Sequence, residues 1–177
     1  RLAALAEDNA RLNGLADRVR TVALDVAARP RAFAAQGLAP AAADRVMMNP
    51  PYNDPVRHHV SPDLGRRAAH TGGAETLAVW CRVAARLLAP GGGLTLIWRA
   101  DALADVRAAL AGRFGGLTLL PVHPRPDAAA IRILVGTVKG SRAPLVLRPG
   151  LILNDDSGRP TPTAEAILRT GAPLPLG

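Results

Sequence analysis

The fold is decided by one stretch of the chain, residues 44–52, which read Asp44-Arg45-Val46-Met47-Met48-Asn49-Pro50-Pro51-Tyr52. The apolar run from Val46 to Met48 predicts a short buried strand. Two prolines end it after Asn49, because proline cannot donate a hydrogen bond to a sheet and its φ is fixed near one value. We therefore expect the Asn49 amide at the carboxyl end of a strand, held by a rigid turn beside the ring of Tyr52.

This placement has a chemical meaning. In open α/β sheets, ligands bind in the crevice outside the carboxyl ends of the strands. The side-chain oxygen of Asn49 can accept a hydrogen bond from an –NH2 group, and the Pro50 carbonyl can accept a second. Tyr52 can stack on the ring that carries this nitrogen. The stretch thus favours a site for a planar nitrogen nucleophile; the alternative is a surface turn that only caps a strand.

Length and composition limit the possible classes of protein. With 177 residues, 49% of them hydrophobic, the chain fits one domain with a sizeable core. The net charge of +8 favours a polyanionic partner. Lys139 is the only lysine among 22 basic residues, a bias that a GC-rich coding sequence explains. No stretch approaches the roughly 20 apolar residues of a membrane helix, so a membrane protein is not expected.

The single cysteine, Cys81, excludes an intramolecular disulfide framework and suits a reducing cytoplasm. Its neighbours form an apolar helix face, which favours a packed thiol over a nucleophile. The four histidines have no cysteine or acidic partners at ligand spacing, so a metal site is not expected.

The order of the patterns predicts an α/β fold. Helical spacing covers residues 2–12, 30–36, 76–88 and 102–110, and a short helical run covers residues 164–168. Strand patterns cover residues 19–25, 46–48, 94–98, 117–122 and 131–135, with the last two as an antiparallel pair. A long polar loop is expected over residues 54–73. The segment Pro90-Gly91-Gly92-Gly93 is expected to end the helix predicted over residues 76–88.

The motif Asn49-Pro50-Pro51-Tyr52 is similar to that of S-adenosylmethionine-dependent amino methyltransferases, which modify adenine N6, guanine N2 or glutamine amides. The wider chain resembles the tRNA1(Val) adenine-37 N6-methyltransferase family. The resemblance extends over NARLNGLADRV (residues 9–19), SPDLGRRAAH (61–70), LAPGG (88–92) and KGSRAPL (139–145). It implies a Rossmann-like class I methyltransferase sheet with an antiparallel last strand, and S-adenosyl-L-methionine as the cofactor.

The same resemblance implies that part of the domain lies outside this chain. In the family, a first strand ends in a Gly-rich turn and a second ends in an acidic residue that binds ribose. No Gly-rich turn of that kind precedes Asn49, so we expect a fragment that lacks its first two strands. Residues 1–140 are then the carboxy-terminal portion of the catalytic domain. Residues 141–177 are a Pro- and Gly-rich extension packed on the same domain.

The resemblance also assigns roles to residues. Asn49, Pro50, Pro51 and Tyr52 are the implied catalytic residues, and Asn49 also contacts the cofactor. The Asp25 carboxylate is implied to accept from the cofactor adenine, with the Val26 N–H nearby, although a strand-ending Asp can equally form a turn. The basic residues expected to contact RNA phosphates, each of which can also be a solvated surface charge, are Arg57, Arg66, Arg67, His70, Lys139 and Arg142.

Three functions follow from these residues. The first is methylation of an exocyclic amino group of RNA, adenine N6 in a tRNA anticodon loop, by a cytoplasmic enzyme. The second keeps the chemistry but changes the substrate to a glutamine side chain of a protein. The third is a non-catalytic RNA-binding module. The net charge argues against the second, and the intact motif argues against the third. The oligomeric state stays open.

Overall fold

Two units make up the chain in the computed structural model, Arg1–Ala39 and Pro40–Gly177. The structure describes residues 2–51, 62–174 and 176, and for residues 62–72 it describes the backbone alone.

The first unit contains two helices, α1 (Leu2–Leu12) and α2 (Pro30–Ala35). Helix α1 is followed by Gly14, whose φ of 66° is a left-handed conformation that glycine adopts without steric cost. Helix α2 begins at Pro30, where the missing N–H removes no intrahelical bond. The Arg20 Nη2 donates to the Gln36 carbonyl at 2.6 Å and satisfies one of the last carbonyls of α2. Both helices confirm the sequence prediction.

The predicted strand over residues 19–25 is wrong. The structure has no strand there; Val19 to Thr21 and the residues after them run as irregular chain into a turn in which the Ala28 N–H donates to the Asp25 carbonyl at 2.9 Å. An alternating pattern forms a strand only where a neighbouring strand accepts its hydrogen bonds. The described residues of the first unit form helices, turns and irregular chain, so this segment has no strand to pair with inside its unit.

The second unit is built on a six-stranded sheet. Its strands are β1 (Ala43–Met48), β2 (Leu88–Arg99), β3 (Phe114–His123), β4 (Arg132–Lys139), β5 (Val146–Leu147) and β6 (Leu151–Ile152). The order is β1-β2-β4-β3-β5, and β6 also pairs with β3. Strand β1 is parallel to β2, whereas β4 is antiparallel to both β2 and β3. The predicted α/β sheet with an antiparallel last long strand is confirmed.

Helices α3 (Pro62–Leu87) and α4 (Leu103–Leu110) lie between the strands in sequence, and a short 3-10 turn (Ala100–Ala102) precedes α4. They pack on one face of the sheet, where the apolar side chains of β2 and β4 meet them. The largest fully buried side chains of this core are Leu77, Leu88, Leu94, Leu96, Trp98, Val106, Leu110 and Val135. This face therefore supplies most of the hydrophobic stabilisation of the unit.

Two sequence predictions near α3 need correction. Helix α3 begins at Pro62, so the second half of the expected loop over residues 54–73 is helical. A proline followed by Asp63 is a helix-start pattern that the polar composition concealed. The segment Pro90-Gly91-Gly92-Gly93 lies inside β2. A Cβ on Gly92 would lie 3.1 Å from the Asp44 carbonyl, beside the irregular pairing of β1 with β2, so glycine fits there.

Residues after β4 return to the sheet. Strands β5 and β6 both pair with β3 in parallel, and α5 (Pro162–Thr170) follows them. Thr161 caps α5, since its Oγ1 accepts from the Ala164 N–H at 3.1 Å. The Leu176 carbonyl lies 3.3 Å from where a Cβ on Gly136 would stand, so the end of the chain crosses β4 on the face away from α3. Among the described residues, no helix has the length and apolar character needed to cross a membrane.

Candidate active site

Asn49 lies at the carboxyl end of β1, as the sequence predicts. Strand β1 ends at Met48, which pairs with Leu96 of β2. The next positions in this parallel register place Asn49 beside Ile97 and Pro50 beside Trp98. Asn49 is exposed, whereas Met48 and Pro50 on either side of it are buried. The chain thus presents one amide to solvent between two anchored neighbours.

The anchoring follows from the alternation of side chains along the strand. Met48 and Pro50 face the core with Leu96 and Trp98, and the Trp98 side chain is only 2% exposed. Because Pro50 is buried and has a restricted φ, the backbone that carries Asn49 has little freedom. The amide is therefore positioned by packing before any ligand arrives.

Asn49 belongs to the face of the sheet that α3 and α4 do not cover. Met47, on the same face, is 86% exposed, so the expected fully buried strand is wrong for this residue. Its burial would require a second layer over β1, and no described residue supplies that layer. Ile97 and Leu134 oppose each other on this face and are half-buried. These two side chains provide an apolar surface beside the amide.

The carboxyl edge of the sheet carries further polar groups. The Arg99 Nε at the end of β2 donates to Asp101 at 2.9 Å. The His123 Nδ1 at the end of β3 lies 2.8 Å from the Ala128 carbonyl, inside the turn that leads to β4. Arg99 and His123 both contact neighbouring residues. At this edge, the Asn49 amide is the group for which the sequence predicts a role in binding an amino group.

Asp25 and Val26 belong to the first unit. The Asp25 Oδ1 accepts from the Ala27 N–H at 2.8 Å, in a turn that the carboxylate itself stabilises. The Asp25 side chain is exposed. Both roles raised by the sequence, the turn former and the cofactor ligand, are compatible with this arrangement.

Several predicted site residues lie outside what the structure describes. Tyr52 and Arg57 are outside the described residues. Arg66, Arg67 and His70 lie in the first half of α3, where the backbone is helical and the side chains are outside the description. Since α3 follows β1 and precedes β2, this half of the helix begins on the carboxyl side of the sheet.

Lys139 and Arg142 lie at the other end of the sheet. Val138 pairs with Gly93 near the start of β2, and the Lys139 Nζ donates to the Leu88 carbonyl at 2.7 Å. With a rise of about 3.3 Å per residue, Lys139 is about 17 Å from the level of Asn49 along the strands. The structure does not bring these two basic residues together with Asn49.

The structure also brings Arg82, Arg107 and Arg113 to the end of the unit where Lys139 lies. They are spread along the chain between residues 82 and 113, so no local sequence pattern marks them as one cluster. The available signal was positional: Arg107 lies in the last turn of a helix and Arg113 directly precedes a strand.

Cys81 is buried in the core, which confirms the expected packed thiol. Burial raises its pKa from 9.0 to about 12, while the charges of Arg113 and Arg82 act in the opposite direction. A thiol with so high a pKa is protonated at neutral pH and is a poor nucleophile. No group of three or more potential metal ligands occurs among the described residues.

The strand order, the antiparallel β4 and a polar amide at the carboxyl end of β1 define a Rossmann-like methyltransferase fold. The solved structure of a predicted O-methyltransferase, protein Atu636 from Agrobacterium tumefaciens, is similar to this chain with 31% identity and a TM-score of 0.74. The match covers 93% of this chain and 71% of that protein. The chain therefore belongs to the S-adenosylmethionine-dependent methyltransferase family.

TrmN from Thermus thermophilus is also similar, with 22% identity and a TM-score of 0.49, over 77% of this chain and 32% of that protein. No protein-family model matches the chain, and no curated protein matches it.

The described residues fit S-adenosyl-L-methionine at the level of donor chemistry. In the second unit, Asn49 offers an exposed amide that both donates and accepts. Ile97 and Leu134 provide apolar surface beside Asn49. These groups are of the kind that this cofactor requires.

Proposed function

We propose that the protein transfers the methyl group of S-adenosyl-L-methionine to an exocyclic amino group of RNA, adenine N6 in a tRNA anticodon loop, in the cytoplasm. One observation carries this proposal. The Asn49 amide is exposed at the carboxyl end of β1, and the residues on both sides of it are buried. An amide held in this way is organised to receive a flat amino-bearing group.

The chemistry follows from what an amide can do. The Asn49 Oδ1 accepts a hydrogen bond from the target –NH2, and the Pro50 carbonyl accepts the other. These bonds draw the nitrogen lone pair out of conjugation with the ring and aim it along the line of attack. An amide is not a base, and none is needed, because the nitrogen becomes acidic when it is methylated and water removes the proton. The cofactor supplies an electrophilic methyl group on a sulfonium.

Tyr52 is proposed to stack on the target base, which must leave its neighbours to reach Asn49. The arginines of the first half of α3, Arg66 and Arg67, are proposed to contact the adjoining phosphates together with Arg57 and His70. Two facts support RNA as the substrate. The chain carries a net charge of +8, and α3 begins on the side of the sheet where Asn49 lies.

Methylation of a hydroxyl oxygen is a second candidate, because the Agrobacterium relative is described as a predicted O-methyltransferase. A hydroxyl is a weaker nucleophile than an amine and gains from a general base. Asn49 cannot serve as that base. The residue type at the carboxyl end of β1 therefore favours the amino group.

The experiment that tests the function is methyl transfer from radiolabelled S-adenosyl-L-methionine to bulk tRNA, duplex DNA and total protein. Labelled tRNA is then digested to nucleosides and separated. N6-methyladenosine is the expected product. A 2′-O-methylnucleoside would establish the second candidate, whereas label in DNA or in glutamine of protein would overturn the RNA proposal. RNA binding without any transfer would indicate a non-catalytic module.

A further inference from the structure

Basic side chains gather at the amino-terminal edge of the sheet, opposite Asn49. Helices α3 and α4 both end at this edge, β3 begins there and β4 ends there. We call the following five residues the basic edge: Arg82, Arg107, Arg113, Lys139 and Arg142. All but Lys139, which is half-buried, are exposed.

Backbone contacts hold the basic edge together. The Gly140 N–H donates to the Arg113 carbonyl at 2.9 Å, and Phe114 pairs with Lys139. The Ser141 Oγ accepts from the Ala143 N–H at 3.1 Å and so fixes the turn that carries Arg142. Arg82 and Arg107 lie in the last two turns of α3 and α4, the helices that end at this edge. The cluster is thus part of the fold and not of a free tail.

The positive charge of the basic edge is little compensated. The ion pairs among the described residues are Arg11–Asp8, Arg99–Asp101, Arg159–Asp155 and Arg169–Glu165, and none includes a residue of the basic edge. The carboxylate that shares this edge is Asp44 at the start of β1, whereas Asp105 lies in the first turn of α4 at its other end. The helix dipole accounts for Arg107 in the last turn of α4, but not for Arg113 or Arg142 in loops.

We propose that the basic edge is a second phosphate-binding surface for the RNA whose target base is presented to Asn49, an inference that rests on the proposed function. Lys139 lies about 17 Å from the level of Asn49 along the strands. A substrate must therefore extend several nucleotides beyond its target to reach both places. Contacts with phosphates there add affinity and fix the register of the RNA without reading its sequence.

The test compares two ligands that differ in length, fluorescently labelled tRNA and a single-stranded RNA hexamer, by anisotropy between 50 and 200 mM KCl. In Arg113→Gln/Arg142→Gln, loss of two phosphate contacts should lower the slope of log affinity against log salt by about 1.8 for tRNA. Hexamer binding should not change. Arg113→Lys/Arg142→Lys keeps both charges and should retain the wild-type slope, which separates charge from misfolding.

The matched control is Arg29→Gln/Arg31→Gln, which removes the same charge from exposed residues at α2. An equal loss of tRNA affinity in this control, or an equal loss of hexamer affinity in the first variant, would overturn the proposal. So would tighter, variant-sensitive binding of a DNA duplex than of tRNA. The wild-type methyl-transfer assay reports separately on the proposed function, because binding at the basic edge is measured without turnover.

Discussion

The two edges of the sheet in the second unit are built differently. At the carboxyl edge, the polar group of interest is the single amide of Asn49, placed between buried Met48 and Pro50 and above buried Trp98. At the amino edge, four exposed arginines of the basic edge lie on helix ends and loops, beside the half-buried Lys139 at the end of β4. One edge is organised by packing, and the other is organised by charge.

The difference shows how one molecule can use separate regions to position a reacting group and to bind a polyanion. A packed turn holds one atom within a fraction of an ångström, which transfer chemistry requires. Exposed arginines cannot do that, but they attract a polyanion over distances of several ångströms and tolerate many backbone paths. Substitutions at the carboxyl edge should therefore change stability and rate, and substitutions at the amino edge should change binding and its salt dependence.

The largest expected effect is on stability. Trp98→Ala should lower the free energy of unfolding by roughly 3–5 kcal/mol, because it leaves a large cavity beneath Asn49. Urea titration monitored by circular dichroism measures this change. Trp80→Ala is the matched control, since Trp80 on α3 is only half-buried and should cost less. Equal losses of unfolding free energy in the two variants would mean that packing at the carboxyl edge contributes no more to stability than packing on α3.

The next effect is on the rate. Asn49→Ala should lower methyl transfer by roughly a hundredfold or more, or about 3 kcal/mol, because a transition-state hydrogen-bond partner is lost. Binding of tRNA should stay within a factor of two or so, since the amide contributes geometry more than affinity. Single-turnover kinetics and anisotropy measure the two quantities. Asn13→Ala, an exposed amide after α1, should leave the rate unchanged. Near-normal turnover of Asn49→Ala would end its catalytic assignment.

A smaller effect is expected on the salt dependence of RNA binding, and it distinguishes the roles of the two edges. Arg66→Gln/Arg67→Gln should reduce the salt slope of binding to the single-stranded hexamer by up to about 1.4, because these arginines lie in the half of α3 that begins near the carboxyl edge. The basic-edge variant should leave this short ligand unaffected. Anisotropy over the same salt range compares the two. If the salt slope of hexamer binding changed only in the basic-edge variant, short RNA would bind at the basic edge, and the proposed placement of the RNA would be wrong.

The last prediction concerns Cys81, which is buried in the core. Its folded pKa of about 12 exceeds the ordinary value of 9.0, so the protonated thiol stabilises the fold. This contribution is fully present below pH 9 and is lost as pH rises toward 12. The urea midpoint of the wild type should therefore fall more steeply with pH above 9 than that of Cys81→Ala. Parallel curves would show that Cys81 ionises as readily in the folded state as in the unfolded state.

Local patterns predicted the parts of the chain whose structure depends on near neighbours. Helices α1 and α2 end at glycines that the sequence shows, and β1 ends at the two prolines after Asn49. The antiparallel pairing of β3 with β4 follows from two neighbouring strand patterns separated by a turn-rich segment. The two prolines after Asn49 predict its position at the carboxyl end of β1.

The predictions failed where the outcome depends on a distant partner. Residues 19–25 alternate like a strand but have no strand to pair with in their unit. Met47 belongs to an apolar run, yet it is exposed because no described residue covers its face. Three members of the basic edge, Arg82, Arg107 and Arg113, come together only in three dimensions, since they are spread over 32 positions of the chain.

The central position of β4 has a consequence for biosynthesis. The strand pairs with both β2 and β3, and no ladder joins those two directly among the described residues. During translation, β2 and β3 leave the ribosome before the strand that must join them. The facing edges of β2 and β3 therefore stay unpaired, with their apolar faces exposed, until the whole of β4, which ends at Lys139, has emerged. Pairings between segments distant in sequence form slowly, and unpaired edges are sites of aggregation. Chaperone dependence during synthesis should therefore be concentrated in the interval in which residues 114–139 are made.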